Sequence, residues 1–435
     1  MIKKAAKVIT DGFTNILKGL GGSKDARTKN DFQRGIRTTQ KIANDLYTYN
    51  WICGKAVDAP VEDAVQNWRT LLIADPERKK EVEETMKAFG LKGHTEKALK
   101  WARAFGGSVI LPILDGEDLE TPLEVDKIRK DSLKNLVVLD RYNIYPGEIN
   151  RNILSSNFGK PEFYTVVRSG QLVHHSRIVR FDGVKSTLME LETENYWGLS
   201  IFTRLWDAVS DSQVLSQSIS NLVFESNVDV YRIDGLNSLV GLGDDKLVKD
   251  RLKIANEMKS ILNALVLDAK DFYDKKTNSF ANLADLDDRF MYKVSGAIPM
   301  PITRLLGREP AGLNATGVSD EKIYEKSLLG IQDNQIRPAL DYLDPIIMAS
   351  AFGDLESFEY IFNPLSTATP AEQAEIELKR SQTDSVYEDM GAIEVLDVQK
   401  QLAENGTYVS MTPERIQREE DEAETLFGEE DEPEE

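Results

Sequence analysis

Hydrophobic positions recur every three or four residues through the first quarter of the chain, and this spacing predicts helices. The pattern runs from Lys41 to Thr70 and again over 78–106. Because a proline is tolerated in the first turn of a helix, Pro60 is predicted to begin a second helix. Gly106-Gly107 ends the helical pattern, and the apolar run 108–114 predicts a buried strand.

Short apolar runs between residues 134 and 184 predict a β-rich region. Arg168-Ser-Gly170 has the composition of a hairpin turn between two of these runs. The candidate strands are 136–139, 163–167, 172–175 and 178–181.

A long helical pattern begins at Ser200, and a short strand at 228–233 and a second helix at about 244–264 are predicted to follow it. These elements form a helix–strand–helix unit over 200–264. Residues 265–295 are predicted to form strands and turns. The chain is therefore expected to have a mixed α+β fold that is rich in helix.

Glycine, proline and asparagine concentrate in the segment 295–318, which predicts a loop. A helix is predicted over about 320–345, with a kink at Pro338. Thr369-Pro-Ala-Glu372 combines an N-cap, a proline at the first helical position and a capping-box glutamate. A further helix is therefore predicted to begin there and to end at Gly391.

Charge is distributed unevenly along the chain. The formal net charge is −20, and residues 419–435 contribute eleven Asp and Glu and no Lys or Arg. Such a segment cannot bury a core and is predicted to be a solvated, disordered tail. Residues 1–40 are predicted to form a polar arm, whose basic start is interrupted by Asp11 and Asn15, unlike an export signal. The acidic total argues against tight electrostatic binding of nucleic acid.

Residues that carry chemistry are sparse. The single cysteine, Cys53, excludes an intramolecular disulfide and cysteine-based zinc sites, and its apolar surroundings predict a buried thiol in a reducing cytoplasm. His94, His174 and His175 have no partners at metal-ligand spacing and are interpreted as ordinary strand and loop residues. No catalytic, cofactor-binding or metal-binding residue is predicted, and no apolar run reaches the roughly 18–20 residues that span a bilayer.

Several segments, in their order along the chain, resemble the portal proteins of tailed bacteriophages. Each segment is weak alone, but their number and order make the resemblance specific. It points to a branch of portals that overlaps with phage anti-CBASS phosphodiesterase-like N-terminal domains. The segments are Leu46–Ile52, Val57–Asp63, Trp68-Arg69, Ala104–Ile110, His175–Gly183, Trp197–Ser200, Pro299–Gly317 and Thr369–Ala374.

The resemblance implies a portal-type fold with a wing, a stem, a clip and a crown. The helix–strand–helix unit would be stem, clip and stem, and the glycine-rich loop would be the channel loop with its supporting helix. On this chain the implied parts are an N-terminal arm 1–40, a wing 41–199, stem–clip–stem 200–264, a wing return 265–365 with channel loop 295–318 and supporting helix 320–345, a helical crown 366–418 and the acidic tail 419–435.

The resemblance also implies site residues. Arg304 and Arg308 are interpreted as forming surface ion pairs with acids such as Glu309, in preference to lying near DNA or a neighbouring subunit. All five tryptophans are expected in the core or at subunit contacts. Channel-loop candidates are Pro299, Pro301, Arg304, Arg308 and Asn314; clip candidates are Asp229, Tyr231 and Arg232; assembly or packing candidates are Trp197, Gly198 and Trp206.

The implied function is structural and not enzymatic: a homo-oligomeric ring, usually of about twelve subunits, at one capsid vertex. Double-stranded DNA would pass through it during packaging and ejection without sequence-specific binding. The implied partners are the terminase large subunit, the major capsid and scaffold proteins and a head–tail adaptor, with no membrane. The ring would be made in the bacterial host cytoplasm and would reside in the virion.

Three alternatives are weighed from the sequence, and the first of them, an enzyme, is rejected. A phosphodiesterase of the anti-defence type needs two His-x-Thr/Ser pairs, and only His174-His-Ser176 fits one. A different virion component, such as a head–tail adaptor or capsid-associated protein, would commonly be shorter and lack the helix–strand–helix unit. A cytoplasmic scaffold unrelated to phage is not expected to form a ring.

Overall fold

The structure is a computed structural model, and it describes residues 37–155, 157–225, 228–232, 272–276, 282–307, 318–353, 358–365, 370–393 and 395–404. The chain divides into two compact units, with the boundary between Asn363 and Pro364. Most of the predicted N-terminal arm and the whole predicted acidic tail lie outside the described residues.

The first two helices are α1 (Gln40–Tyr49) and α2 (Trp51–Gln66), and the break between them falls at Asn50. The Asn50 side chain accepts hydrogen bonds from the backbone N–H groups two and three residues further on, at 3.0 and 3.1 Å, and so caps α2. The prediction that a second helix begins at Pro60 is therefore wrong, because Pro60 lies inside α2.

A tertiary hydrogen bond explains why α2 continues through its proline. Proline has no N–H, so the carbonyl four residues earlier, that of Ala56, lacks its helical donor. Arg103 Nη2 donates to this carbonyl at 2.8 Å. Arg103 belongs to α4 (Leu91–Phe105), which follows α3 (Pro76–Ala88) and packs against α2.

Two three-stranded antiparallel sheets form the β-rich region. In the first, β2 (Gly107–Leu114) lies between β3 (Leu133–Asp140) and β7 (Val179–Asp182). In the second, β5 (Phe163–Val166) lies between two three-residue strands, and these are β4 (Ile144–Pro146) and β6 (Leu172–His174).

The strand predictions for this region are confirmed to within a few residues. The predicted hairpin is β5–β6, and Gly170 in its turn has φ +69°, a left-handed conformation that glycine adopts without strain. The two sheets share one apolar cluster, and α4 covers β2 and β3. The buried members of the cluster are Val109, Leu111, Ile144, Tyr164, Val173, Ile178 and Trp197.

The next part of the chain carries the longest described helix. A short helix, α5 (Leu188–Thr193), precedes α6 (Phe202–Glu225), and this confirms the helix predicted from residue 200. The strand β8 (Val228–Arg232) pairs antiparallel with β9 (Phe272–Lys276). The helix α7 (Leu283–Ala297) then packs against α6.

The prediction of strands and turns over 265–295 is wrong from residue 283 onward, because these residues form α7. Buried Met291 and Val294 lie three residues apart, which is helical spacing. Acidic residues between the apolar ones obscured that period. The helix predicted at 244–264 lies outside the described residues.

Residues 318–352 form one nearly continuous helical run. The predicted loop 295–318 contains the end of α7 and α8 (Ile302–Leu306), so the loop prediction is wrong for these residues. The run then comprises α9 (Val318–Ile331), a π-helical turn (Gln332–Ile336) and α10 (Arg337–Phe352). The irregularity expected at Pro338 is thus a π-helical turn just before that residue, and Pro338 lies in the first turn of α10.

A two-stranded antiparallel pair joins distant parts of the first unit, since β1 (Arg69–Leu72) pairs with β10 (Glu359–Phe362). Buried Arg69 forms a bidentate ion pair with Asp344 of α10, at 2.5 and 2.7 Å. The Tyr360 ring lies 4.3 Å from the guanidinium carbon. These contacts hold α10 against the pair.

The second unit contains two described helices, α11 (Pro370–Asp389) and α12 (Val395–Glu404). Gly391 has φ +68°, which confirms the predicted stop after the first. Among the helices that the structure describes, none is both long and apolar enough to cross a membrane.

Candidate functional site

His174 and His175 lie next to each other in the β-rich region. Within the described ranges, no group of three or more His, Cys, Asp and Glu side chains could hold a metal ion. His174 Nδ1 lies 2.8 Å from Ser176 Oγ, and its ring packs 4.4 Å from the ring of His175. Burial lowers the pKa of both histidines, which keeps them neutral near pH 7. The candidate sites predicted from the sequence are instead places where separate segments of the backbone meet closely.

The tightest of these is the Trp197–glycine junction, which comprises Trp197 and the four glycines Gly106, Gly107, Gly183 and Gly198. Trp197 is 1% exposed. A Cβ on Gly198 would lie 2.6 Å from the Gly183 nitrogen, and one on Gly106 would lie 2.5 Å from the Gly198 oxygen. A Cβ on Gly107 would overlap the Trp197 ring. The junction brings together the end of α4, the end of β7 and the approach to α6.

Two arginines fix the Trp197–glycine junction from either side. The Arg180 guanidinium lies 4.0 Å from the Trp197 ring centroid, and it donates to Asp182 at 2.8 Å and to the Tyr164 hydroxyl at 3.1 Å. On the other side, Arg141 donates to the Gly198 carbonyl at 3.3 Å. The peptide groups around Trp197 therefore have charged donors to satisfy them.

The two residues before Trp197 have an unusual backbone conformation. Asn195 and Tyr196 have φ values of +53° and +61°, which non-glycine residues rarely adopt. Arg180 donates to the Tyr196 carbonyl, and Arg141 pairs with Glu194 at 2.7 Å. The surrounding contacts hold a turn that would be unfavourable in isolation.

The start of α6 is attached to α4 beside the junction. Ser200 Oγ donates to the Ala104 carbonyl at 2.7 Å, and the Ile201 N–H donates to the Arg103 carbonyl at 3.0 Å. Trp206, the third packing candidate, is half-buried one turn further along α6. It lines a cavity of about 70 Å³ together with Cys53, apart from the junction residues.

The channel-loop candidates divide at residue 307. Pro299 and Pro301 flank buried Met300 between α7 and α8, and Arg304 lies in α8. Arg308 and Asn314 lie outside the described residues. Arg304 forms a bidentate ion pair with Asp63 of α2, with both N···O distances at 2.9 Å.

A small polar cluster around Asp63 attaches α8 and α9 to α2. The Tyr324 hydroxyl of α9 donates to Asp63 at 2.7 Å, and Lys55 donates to the Leu305 carbonyl at 2.7 Å. The hydrogen bonds from Arg304 to Asp63 raise the pKa of Arg304. Burial and its own hydrogen bond to Asp63 raise the pKa of Tyr324, so both residues remain donors. We call Lys55, Asp63, Arg304 and Tyr324 the α8 anchor.

The clip candidates Asp229, Tyr231 and Arg232 all lie in β8. In the β8–β9 register they are opposite Lys275, Tyr273 and Phe272, respectively.

Sequence reasoning missed Asp63, Tyr324 and Arg103, although they connect separate helices. Nothing near each of them in sequence indicates its partner, because the partners are tens to hundreds of residues away. The proline inside α2 was the one available signal, since it frees a carbonyl that some donor must satisfy.

A match to a known family identifies the class of protein. The phage portal protein family matches residues 42–386. The chain therefore belongs to the phage portal protein family.

Three relatives match most of this chain. A protein of Haemophilus influenzae with no assigned function is 28% identical over 94% of this chain and 93% of its own length. The Caulobacter anti-CBASS protein Acb1 is 32% identical over 84% of this chain, and the Sphingomonas paeninsulae Acb1 is 29% identical over 93%. The chain spans 61% of the Caulobacter protein and 67% of the Sphingomonas protein.

Solved structures of phage-like particles include similar chains. A chain from the neck of an empty gene transfer agent particle has a TM-score of 0.48 and 13% identity, covering 87% of this chain and 96% of its own. An HK97-family portal protein from Corynebacterium diphtheriae has a TM-score of 0.36 and 11% identity, covering 77% and 100%. Both scores are below 0.5, so the family assignment rests on the sequence match.

Proposed function

We propose that this chain is a portal protein that forms an oligomeric ring at one capsid vertex, through which phage DNA enters and leaves. The family match over 42–386 carries the proposal. It favours a portal over a head–tail adaptor or an unrelated scaffold. A ring is the expected closed form when identical subunits use head-to-tail contacts.

We propose a revised assignment of the stem. The α6 and α7 helices pack against each other, and the β8–β9 pair lies between them in sequence. The two stem helices would therefore be α6 and α7, with the clip between them and containing Asp229, Tyr231 and Arg232. This assignment moves the returning stem helix from 244–264 to 283–297. The wing 41–199, the crown, the arm and the tail keep the boundaries given above, and the wing return begins after residue 297 instead of at 265.

We propose that the α8 anchor holds the base of the channel loop. Arg304 is engaged by Asp63 and is not free to bind DNA, whereas Arg308 and Asn314 would lie in the loop itself. The formal charge of −20 fits a channel that DNA crosses without tight binding, since each phosphate contacted by a cation adds salt-dependent affinity.

The proposed partners follow from this role. They are other copies of the chain, double-stranded DNA in transit, the terminase large subunit, the major capsid and scaffold proteins and a head–tail adaptor. The proposed location is the portal vertex of the virion, after synthesis in the bacterial host cytoplasm.

We propose that the chain is not an enzyme, although two relatives are named anti-CBASS proteins. A two-histidine phosphodiesterase needs two His-x-Ser/Thr pairs, and this sequence has one, at His174–Ser176. That histidine is 9% exposed and its ring nitrogen is held by the serine. Turnover of a chromogenic phosphodiester by purified protein, lost in His174→Ala, would overturn this proposal.

Native mass spectrometry and negative-stain microscopy of the purified chain test the ring directly. We expect a single closed assembly of about twelve subunits with a central hole. Assembly should be repeated with capsid and scaffold proteins present, because a ring can need them to nucleate. A chain that stays monomeric under both conditions would contradict the proposal.

The proposal that the α8 anchor holds the base of the channel loop is tested by the variant Arg304→Ala. Hydrogen exchange of residues 298–307 should accelerate several-fold while the sheets remain protected, because loss of a bidentate ion pair loosens α8 locally. The matched control is Lys134→Ala, which removes an exposed pair with Asp115 at 3.8 Å and should change nothing there. Equal protection of 298–307 in both variants would contradict the anchor.

A further inference from the structure

A cavity of about 480 Å³ lies between the β-rich region and the π-helical turn. One wall is formed by β7 and the loop before β5, and the other by the π-helical turn and the start of α10. The volume lies within the roughly 300–1,000 Å³ typical of small-molecule sites and is much larger than an inorganic anion needs. Neither the stem, the clip nor the α8 anchor includes this cavity.

The charge of the cavity wall is opposite to that of the chain. The sequence has 53 Lys and Arg against 73 Asp and Glu. The charged residues lining the cavity are nevertheless Lys160, Arg180, Lys185 and a single acid, Asp182. Arg180 neutralises that acid through a 2.8 Å ion pair. Lys160 and Lys185, both exposed side chains at the cavity, form no ion pair with any carboxylate of the described residues.

Neutral hydrogen-bonding groups complete the wall. Asn334 and Gln335 belong to the π-helical turn, and turns of this kind often occur at functional sites. His175 lines the cavity as well, and burial lowers its pKa, so it is a neutral ring with one N–H to donate. Point cations combined with amide and imidazole donors suit the tetrahedral oxygens of a phosphate.

We propose that this cavity binds a phosphate-bearing small molecule of nucleotide size, with Lys160 and Lys185 holding the phosphate. The site borders the Trp197–glycine junction, because Arg180 contacts both the cavity and the Trp197 ring. A bound ligand stabilises the folded state, and here it does so beside the start of α6. The proposal does not depend on ring formation, because each subunit contains the whole cavity.

Isothermal titration calorimetry of the full chain at constant ionic strength tests the site, with AMP as the probe. We expect saturable binding of one AMP per subunit, and no comparable binding of adenosine or of glutarate. The Lys160→Gln/Lys185→Gln double variant should weaken the affinity by about 10-fold or more, because it removes two charge-assisted contacts. The matched control is Lys80→Gln/Lys322→Gln, two exposed lysines outside the cavity, which should stay within about 2-fold of the original affinity.

Three results would overturn the proposal. The first is the absence of saturable AMP binding by the unmodified chain. The second is equal weakening in the cavity and control variants, which would show that only net charge matters. The third is binding of a short single-stranded oligonucleotide or of glutarate as tightly as AMP, which would contradict a nucleotide-sized phosphate ligand.

Discussion

At the residue scale, Gly198 shows how much of this fold depends on the absence of a side chain. Gly198→Ala should destabilise the folded state by about 1–3 kcal/mol, because the added Cβ would lie 2.6–2.9 Å from Gly183 backbone atoms. Gly198 is not among the residues with positive φ, so the effect reports close approach and not backbone strain. Urea unfolding of the purified variant measures it.

The control for Gly198 is Gly93→Ala in α4, where an added Cβ meets no atom within 4 Å. Replacing a helical glycine with alanine should stabilise the protein by up to about 1 kcal/mol. Similar unfolding midpoints for the two variants would show that the Trp197–glycine junction is looser than the structure indicates.

Cys53 gives a second prediction at this scale. It is 1% exposed, and burial raises the pKa of its thiol to about 12. The native protein should therefore not react with a disulfide reagent at pH 8, while the protein in denaturant should react at one thiol per chain. Because folding favours the neutral thiol, its contribution to stability is full below the ordinary thiol pKa and declines as the pH rises toward 12. Rapid labelling of the native protein would contradict this burial.

Exposure of individual tryptophans could be predicted only in part. Trp197 is 1% exposed, as expected of a core residue, whereas Trp51 is 57% exposed at the start of α2. Both tryptophans follow a polar or aromatic residue within an apolar stretch, so their sequence surroundings do not separate them. What distinguishes them is the close packing of the glycines around Trp197, and those glycines come from three separate segments.

At the scale of elements, the continuation of α2 through Pro60 depends on Arg103. Arg103→Met should cost about 1–3 kcal/mol, because it leaves the buried Ala56 carbonyl without a donor. In a Pro60→Ala background the alanine N–H can supply the missing helical bond, so the same substitution should cost clearly less. A double-mutant cycle from urea unfolding measures this coupling. An equal cost in both backgrounds would contradict the role given to Arg103.

The boundaries of helices and strands could be predicted well where local sequence signals were strong. The strands β2, β3, β5, β6 and β7 and the stop at Gly391 were predicted because short apolar runs and turn residues act locally. The helix α7 was missed because its apolar face is interrupted by acidic residues. The helix break at Asn50 was missed because a proline is a more obvious signal for the start of a helix than a capping asparagine is.

At the scale of the whole molecule, pairing between distant segments decides the fold, and sequence patterns do not show it. The β1–β10 pair and the α8 anchor each join residues more than 200 positions apart, as Arg69 opposite Phe362 and the Asp63–Arg304 ion pair illustrate. For the candidate sites, Trp197 and Gly198 were predicted as packing residues, whereas Gly106, Gly107 and Gly183 were interpreted only as residues that end a helix or a strand. The α8 anchor became visible only once the helices were placed.

The acidic segment 419–435 gives the last prediction, at the scale of the assembly. Its deletion removes eleven acidic residues and changes the formal charge from −20 to −9. A segment of this composition buries too little apolar surface to hold subunits together, so the deletion variant should form the same ring as the full chain. Native mass spectrometry at matched ionic strength compares the two. Loss of the ring, or a changed number of subunits in it, in the deletion variant would show that the segment takes part in assembly.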